Sequence, residues 1–464
     1  MRHSHKPERA PRRSILAARA TPCSKGGFRR FLGLTSSMPL VEARGGGSFG
    51  GSIVRIQQFF SVLAASAMAM APVTVAAQAP LPDDPIIRED SVSVRDRDRP
   101  EYEPLGRRVG SFELNASLGL SVTSTDNLFV SRPALEVDEM FYEFAPQASL
   151  VSDWRRHAFA LDGGWTMRRH QDEDREDTDA YFVRATGRVD VGANTALYAS
   201  SRLAHQVTPR TDPDVSDTTG VPVEYDRFDA SVGASHRFAR ATVRVDVGQS
   251  NYDYEGSQAF RDFRETFVRG RLDYEVSPRL TVIGQVRADD RNNNNTPTLS
   301  SEGRTILAGI DWTNDVVRGE FLVGQFERDY SGPAGTVDGV AAQAAVEWYI
   351  TDLTTISLAG VRSGDDQTVG TSGVPYVTTE AGITVDHELL RNVILTAGYE
   401  QGQRDYDPSP RRDEYQHMEA GADWILNRRV ALSARFERDE LHYSGVSIDD
   451  RDANAIRFGV SFRL

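Results

Sequence analysis

The chain has 464 residues, 39% hydrophobic and 26% charged, with a formal net charge of -14 and a mean hydropathy of -0.44. An acidic balance argues against nucleic acid as a partner, since a polyanion is held by an excess of Lys and Arg. One cysteine, Cys23, cannot build a disulfide framework or a thiolate metal site.

Residues 53–77 form the one long apolar stretch. It opens with Arg55, runs through Phe59, Phe60, Val62 and Leu63, and ends in the small residues Ala76 and Ala77 before Gln78. A basic start, an apolar middle and small residues at its end define an export signal, with cleavage expected between Ala77 and Gln78. Residues 1–50, basic and Gly-rich, lie upstream of this otherwise complete signal and read as an overextended start. Removing residues 1–77 takes away Cys23 and both lysines, and the remainder carries a charge near -23 with arginine as its only basic residue besides histidine. Residues 78–108, including Arg95, Asp96, Arg97, Asp98 and Arg99, have too little apolar surface to fold alone and are expected to form a flexible periplasmic leader.

Beyond the signal no run of 18 apolar residues could form a spanning helix. Instead, the chain from residue 109 to 464 reads as alternating apolar and polar residues. Successive strand side chains point to opposite faces, so one face of such a segment suits lipid and the other water. Tyr181, Val183, Ala185, Gly187 and Val189 fall opposite Arg184, Thr186, Arg188 and Asp190; Val243, Val245 and Val247 fall opposite Arg244 and Asp246. At the end of the chain Ile456, Phe458, Val460, Phe462 and Leu464 fall opposite Arg457, Gly459, Ser461 and Arg463. Segments of about ten or more residues are long enough for tilted strands to cross a hydrocarbon layer.

Tight links are expected near residues 152–154, 191–194, 239–240, 277–279, 314–315, 351–352, 390–392 and 427–428. Longer polar links lie between them at 171–179, 208–223, 289–301, 364–375, 404–412 and 439–452. Short periplasmic turns alternating with long outer loops are the pattern of an outer-membrane barrel. Eight short turns separate nine hairpins. The expected fold is therefore all-β: a transmembrane antiparallel barrel of about 18 strands, with 16 as the alternative and both termini periplasmic.

Phe112, Tyr142, Phe144, Trp165, Tyr274, Trp312, Trp348, Tyr349, Tyr399 and Trp424 recur near strand ends and are candidates for interfacial girdles. The polar face supplies candidate lumen-lining residues of both signs. The basic members are Arg184, Arg188, Arg237, Arg244, Arg269, Arg271, Arg287, Arg318 and Arg457; the acidic members are Asp311, Glu320, Glu347, Glu380, Glu400 and Glu419. Such a wall can pass a hydrated polar solute, or can serve as a cross-strand lattice of salt bridges. Acids in the outer loops, from Asp172 to Asp179 and at Asp449, Asp450 and Asp452, could hold divalent cations against anionic lipopolysaccharide or simply be solvated. The histidines are scattered, with no triad or metal-ligand spacing, so neither catalysis, a cofactor nor a metal centre is expected.

Thr123 to Val130 (TSTDNLFV), Arg155 to Trp165 (RRHAFALDGGW) and Leu353 to Glu400 resemble an outer-membrane β-barrel porin family often encoded with exopolysaccharide or capsule export systems in Gram-negative bacteria. The matching positions include Asp126, Asn127, Thr354, Thr355, Asp386, His387, Leu389, Leu390, Arg391 and Asn392, placed at turns and strand ends. The chain departs from the usual aromatic last residue of such barrels by ending in Leu464, with Phe462 two positions earlier. The resemblance implies an outer-membrane conduit for exopolysaccharide, a periplasmic export apparatus as partner, and insertion by the barrel-assembly machinery among lipid and lipopolysaccharide. The other expectations are a general diffusion porin for small solutes, and a structural or adhesion barrel working through its acidic loops.

Overall fold

In the computed structural model the described residues are 92–213, 215, 220–364 and 374–464. The export signal, its cleavage point, the upstream extension and the first part of the leader lie outside the described residues. A three-residue strand β1 (Arg107–Val109) leads into β2 (Phe112–Thr125) and pairs with its start. There follow β3 (Glu139–Ser152), β4 (Ala158–His170), β5 (Thr178–Val191), β6 (Thr195–Thr208), β7 (Val223–Arg237), β8 (Ala241–Tyr254) and β9 (Phe263–Ser277). The middle of the chain supplies β10 (Leu280–Asn292), β11 (Ser301–Thr313), β12 (Val317–Tyr330), β13 (Thr336–Thr351) and β14 (Thr354–Ser363). The last strands are β15 (Tyr376–Leu390), β16 (Val393–Tyr406), β17 (Arg412–Asn427), β18 (Val430–Ser444) and β19 (Arg451–Arg463).

Each long strand pairs antiparallel with its sequence neighbours, and β19 returns to β2 in a ladder from Ala455↔Thr125 to Arg463↔Ser117. The strands β2 to β19 thus close an eighteen-strand barrel without an exposed edge. Closure satisfies backbone N–H and C=O groups that hydrocarbon could not hydrate. The strands run from 10 residues in β14 to 16 in β13 and β17. No described helix is long and apolar enough to cross a membrane.

Alternation decides which face each residue takes. On β8, Val243, Val245 and Val247 are exposed on the outside while Asp246 is buried within. Tyr274, Trp312, Trp348 and Trp424 are exposed within three residues of the short-turn ends of their strands, forming an interfacial belt. Tyr349 departs from the girdle expectation: it has the opposite parity to Trp348, is buried on the lumenal side, and donates its hydroxyl to Glu347 at 2.7 Å.

The short links have local causes. Asn314 Oδ1 accepts from the amides of Val316 and Val317, and Asn427 Oδ1 accepts from those of Arg429 and Val430, closing Asx turns. At the outer end, Asn127 is buried and its side chain ties Ser131 to the Asp452 carbonyl of β19. Several strands extend further outward than the polar sequence suggested, β18 to Ser444 and β10 to Asn292. Charge does not end these ladders because it is paired across them, as in Arg328–Asp289 at 2.7 Å and Arg438–Asp452 at 3.3 Å.

Register also explains particular glycines. A Cβ on Gly309 would overlap the Phe321 carbonyl oxygen of β12, whereas one on Gly284 would meet nothing within 4 Å. Gly309→Ala should destabilise the barrel by about 1–3 kcal/mol, the usual range for overpacking. Heat-modifiable migration of the folded barrel checks it: Gly309→Ala should lower the unfolding temperature, and Gly284→Ala should leave it near wild type.

Candidate channel and its obstructions

The fifteen candidate lumen residues all alternate with outward-facing neighbours and so project inward. Most are brought into ion pairs. Arg184 meets Asp162 at 3.2 Å, Arg188 meets Asp190 at 2.7 Å, and Arg237 meets Glu275 at 3.3 Å. Arg244 and Arg269 share Asp246 at 3.0 and 3.4 Å, while Arg271 bridges Asp273 and Glu320, each at 2.7 Å. Arg287 pairs with Glu265, and Arg457 lies 3.5 Å from Glu437. Glu347 and Glu380 instead accept tyrosine hydroxyls, from Tyr349 and Tyr415. Asp311, Arg318, Glu400 and Glu419 share the same inward face.

The inner wall is not polar throughout. Ile283, Leu307, Leu322, Phe326, Val337 and Ala341 pack into one buried cluster on β10 to β13. These residues carry the lumenal parity, opposite exposed Val282, Ile306 and Val323. A strict apolar-out, polar-in rule therefore fails on this arc.

Two segments enter the lumen. The first is the β6–β7 link. Asp212 is held by Arg404 of β16 at 2.8 and 3.2 Å, and the Val215 carbonyl accepts from Arg451 of β19 at 3.0 Å. The Pro213 carbonyl also accepts from Arg411 and Tyr443, each at 3.4 Å. Strands β7 and β16 stand nine places apart in a ring of eighteen, so the link straps the outer mouth to the opposite wall. Its near end is held by Arg210, whose Nε donates to Glu176 of the β4–β5 link at 3.0 Å.

The second is the leader. Residues 92–103 do not project freely, as a flexible leader would, but lie against the inner wall at the short-turn end. Val94 is fully buried and its amide donates to Thr355 Oγ1 at 3.0 Å. Arg95 pairs with Asp386 at 2.8 Å and Asp423 at 3.3 Å and also contacts Thr396, reaching across β15, β16 and β17. Arg99, 4% exposed, pairs with Glu388 at 2.9 Å and donates to the Arg391 carbonyl at 3.2 Å. Arg391 and Arg428 in turn donate to the carbonyls of Asp98 and Pro100. The alternating Arg-Asp series was legible only as charge; its partners lie some 290 residues away.

On the outer loops, the acids largely find partners within the chain. Asp177 lies 3.3 Å from His170, Asp179 meets Arg169 at 2.8 Å, and Asp449 meets Arg132 at 3.4 Å. His442, 3.1 Å from Asp450, holds that carboxyl below the usual carboxylate range. His205, Glu224 and Glu255 bring ligand-type atoms within 4.8 Å of one another on the outward side. Spacing did not reveal this group, because His205 and Glu224 come from β6 and β7 and Glu255 follows the end of β8, and only the ladder aligns them.

A closed antiparallel barrel with an apolar exterior, an aromatic belt and charged inner walls is an outer-membrane β-barrel of the porin class. The chain belongs to the family described as "Putative beta-barrel porin 2", whose model matches residues 99–464. No curated protein matches it significantly. Among solved structures it is similar to the outer membrane protein OpdK from Pseudomonas aeruginosa, at 14% identity and a TM-score of 0.42, covering 76% of this chain and 98% of that one. It is also similar to a BenF-like porin from Pseudomonas fluorescens Pf-5, at 11% identity and a TM-score of 0.44, covering 77% and 100%. A third is Acinetobacter baumannii OccAB4, at 10% identity and a TM-score of 0.43, covering 76% and 98%.

Charge-assisted hydrogen bonds contribute about 1.5–3 kcal/mol each. Arg95→Ala removes three of them from the leader, to Asp386, Asp423 and Thr396, and changes no residue of the barrel ladder. Limited proteolysis from the periplasmic side should cleave residues 92–103 at least about tenfold faster in this variant, by the same energies. Unchanged cleavage would show that Arg95 does not hold the leader.

Proposed function

We propose that this outer-membrane barrel is a diffusion channel for small polar solutes, narrowed at its outer mouth and partly covered at its periplasmic mouth. The observation that carries this reading is the strap from β6–β7 to Arg404 and Arg451. An eighteen-strand barrel is wide enough for an aqueous channel, and a strap tied to both sides divides that width into narrower passages. Charged walls then offer many weak contacts that replace a solute's hydration while allowing it to leave. An exopolysaccharide chain, the cargo suggested by the family resemblance, needs a continuous bore and would have to displace the strap. The fit is therefore better to a general solute porin than to an export conduit, and no periplasmic export apparatus is invoked. Lining by Arg184, Arg244, Arg271, Glu320 and their neighbours, contact with lipopolysaccharide, and insertion by the barrel-assembly machinery all belong to this proposal.

Planar-bilayer recording tests it. The purified barrel should give small, steady single-channel steps, and the double variant Arg404→Ala/Arg451→Ala, which frees the strap, should raise the step size about two- to threefold, since conductance follows the open cross-section of a water-filled pore. Steps of equal size in both proteins would remove the strap as the constriction. Absence of steps, together with loss of surface polysaccharide in cells lacking the protein, would favour export.

A further inference from the structure

The strap's anchor leads directly to an acidic pocket. Arg404 stacks on the rings of Tyr376 and Tyr415 at 5.0 and 5.7 Å, and the Tyr415 hydroxyl donates to Glu380. Four residues deeper on β16, on the same inward face, stands Glu400. It is only 8% exposed, and among the described residues no hydrogen bond or ion pair engages its carboxylate.

Two glycines on the same strand shape the space around it. A Cβ on Gly402 would overlap the Tyr415 ring, and one on Gly398 would lie 2.7 Å from Glu419 Cγ. Tyr415 and Glu419 therefore lean over β16 above and below Glu400. In register beside it, His417 is tied to Asp439 at 2.8 Å, and Glu437 stands next to Glu419. Three successive rows over β15 to β18 thus gather five carboxylates, and the facing basic groups are His417 and Arg457, each already engaged with a carboxylate of its own. On the arc from β8 to β12, by contrast, Arg244, Arg269, Arg287, Arg291 and Arg328 meet Asp246, Glu265 and Asp289. Around Glu400 negative charge exceeds positive, and a buried anion without a counter-charge is costly.

We propose that the pocket around Glu400 binds a cation, either the ammonium or guanidinium group of a permeating solute or a small inorganic cation. The proposal deepens the channel reading and rests on it for its transport role, but the binding step can be tested apart from conduction. Tyr415 supplies an aromatic face, and Glu400 and Glu419 supply the charge.

The test uses the full folded barrel with Glu400→Gln, and Glu419→Gln in parallel in case the first variant fails to fold. In a KCl gradient the wild type should be cation-selective, and either substitution should lower the K⁺ to Cl⁻ permeability ratio at least about threefold. Titration calorimetry with spermidine should show binding to the wild type and at least about tenfold weaker binding to the variants, with glutamate showing none. Selective loss of the K⁺ effect alone would identify the occupant as an inorganic cation; loss of spermidine binding as well would identify an organic one. Glutamine mimics a neutral carboxyl, so equal selectivity and equal spermidine binding in wild type and variants would mean that Glu400 is satisfied by a proton, and would overturn the proposal. Absence of any current would count against the channel reading, while the titration would still decide the pocket.

Discussion

A backbone in hydrocarbon must satisfy every N–H and C=O by itself, and the closing ladder between β19 and β2 is the contact that makes this possible here. Without it, two strands of more than ten residues would present unpaired edges to lipid. The rest follows from that ring. Once the strands are closed, alternation sends half of the side chains outward to lipid and half into a confined interior. An arginine and a carboxylate that would be unremarkable on a soluble surface then become neighbours with little water between them.

Confinement explains how the interior is built. Arg328 and Asp289 are almost wholly buried, and Arg328 also reaches Ser301, so neither charge is left without a partner. Arg271 serves Asp273 and Glu320 together. Removing one member of such a buried pair generally costs about 3–5 kcal/mol because the other is stranded. The apolar cluster around Leu307 and Phe326 solves the same problem by a different route, by leaving nothing polar to satisfy. The wall thus carries three kinds of arc: paired charge, apolar packing, and the acid-rich stretch around Glu400.

Much of this architecture was legible in the sequence because it depends on local rules. A period of two, strand lengths near the thickness of a bilayer, and Asn or Gly at tight links are properties of neighbouring residues, and they placed the eight short turns and the inward parity of residues such as Arg244 and Glu320. What remained hidden depends on distant partners. Asp212 could be read only as a loop acid, since nothing nearby announces Arg404, 192 residues later. Tyr349 followed Trp348 as a second girdle aromatic until its parity put it inside. The leader looked unstructured because its own apolar content is low, whereas its order comes from Asp386, Glu388 and Asp423 on strands made near the end of the chain.

That last relation has a bearing on the order of assembly. Arg95 precedes the barrel, yet its dock is formed by residues 291 and 328 positions further along. The contacts are thus among the most non-local in the molecule, and loop closure of that length brings no reward until β15 to β17 already stand side by side. Arg95 is made first, and its dock therefore depends on strands made near the end of the chain.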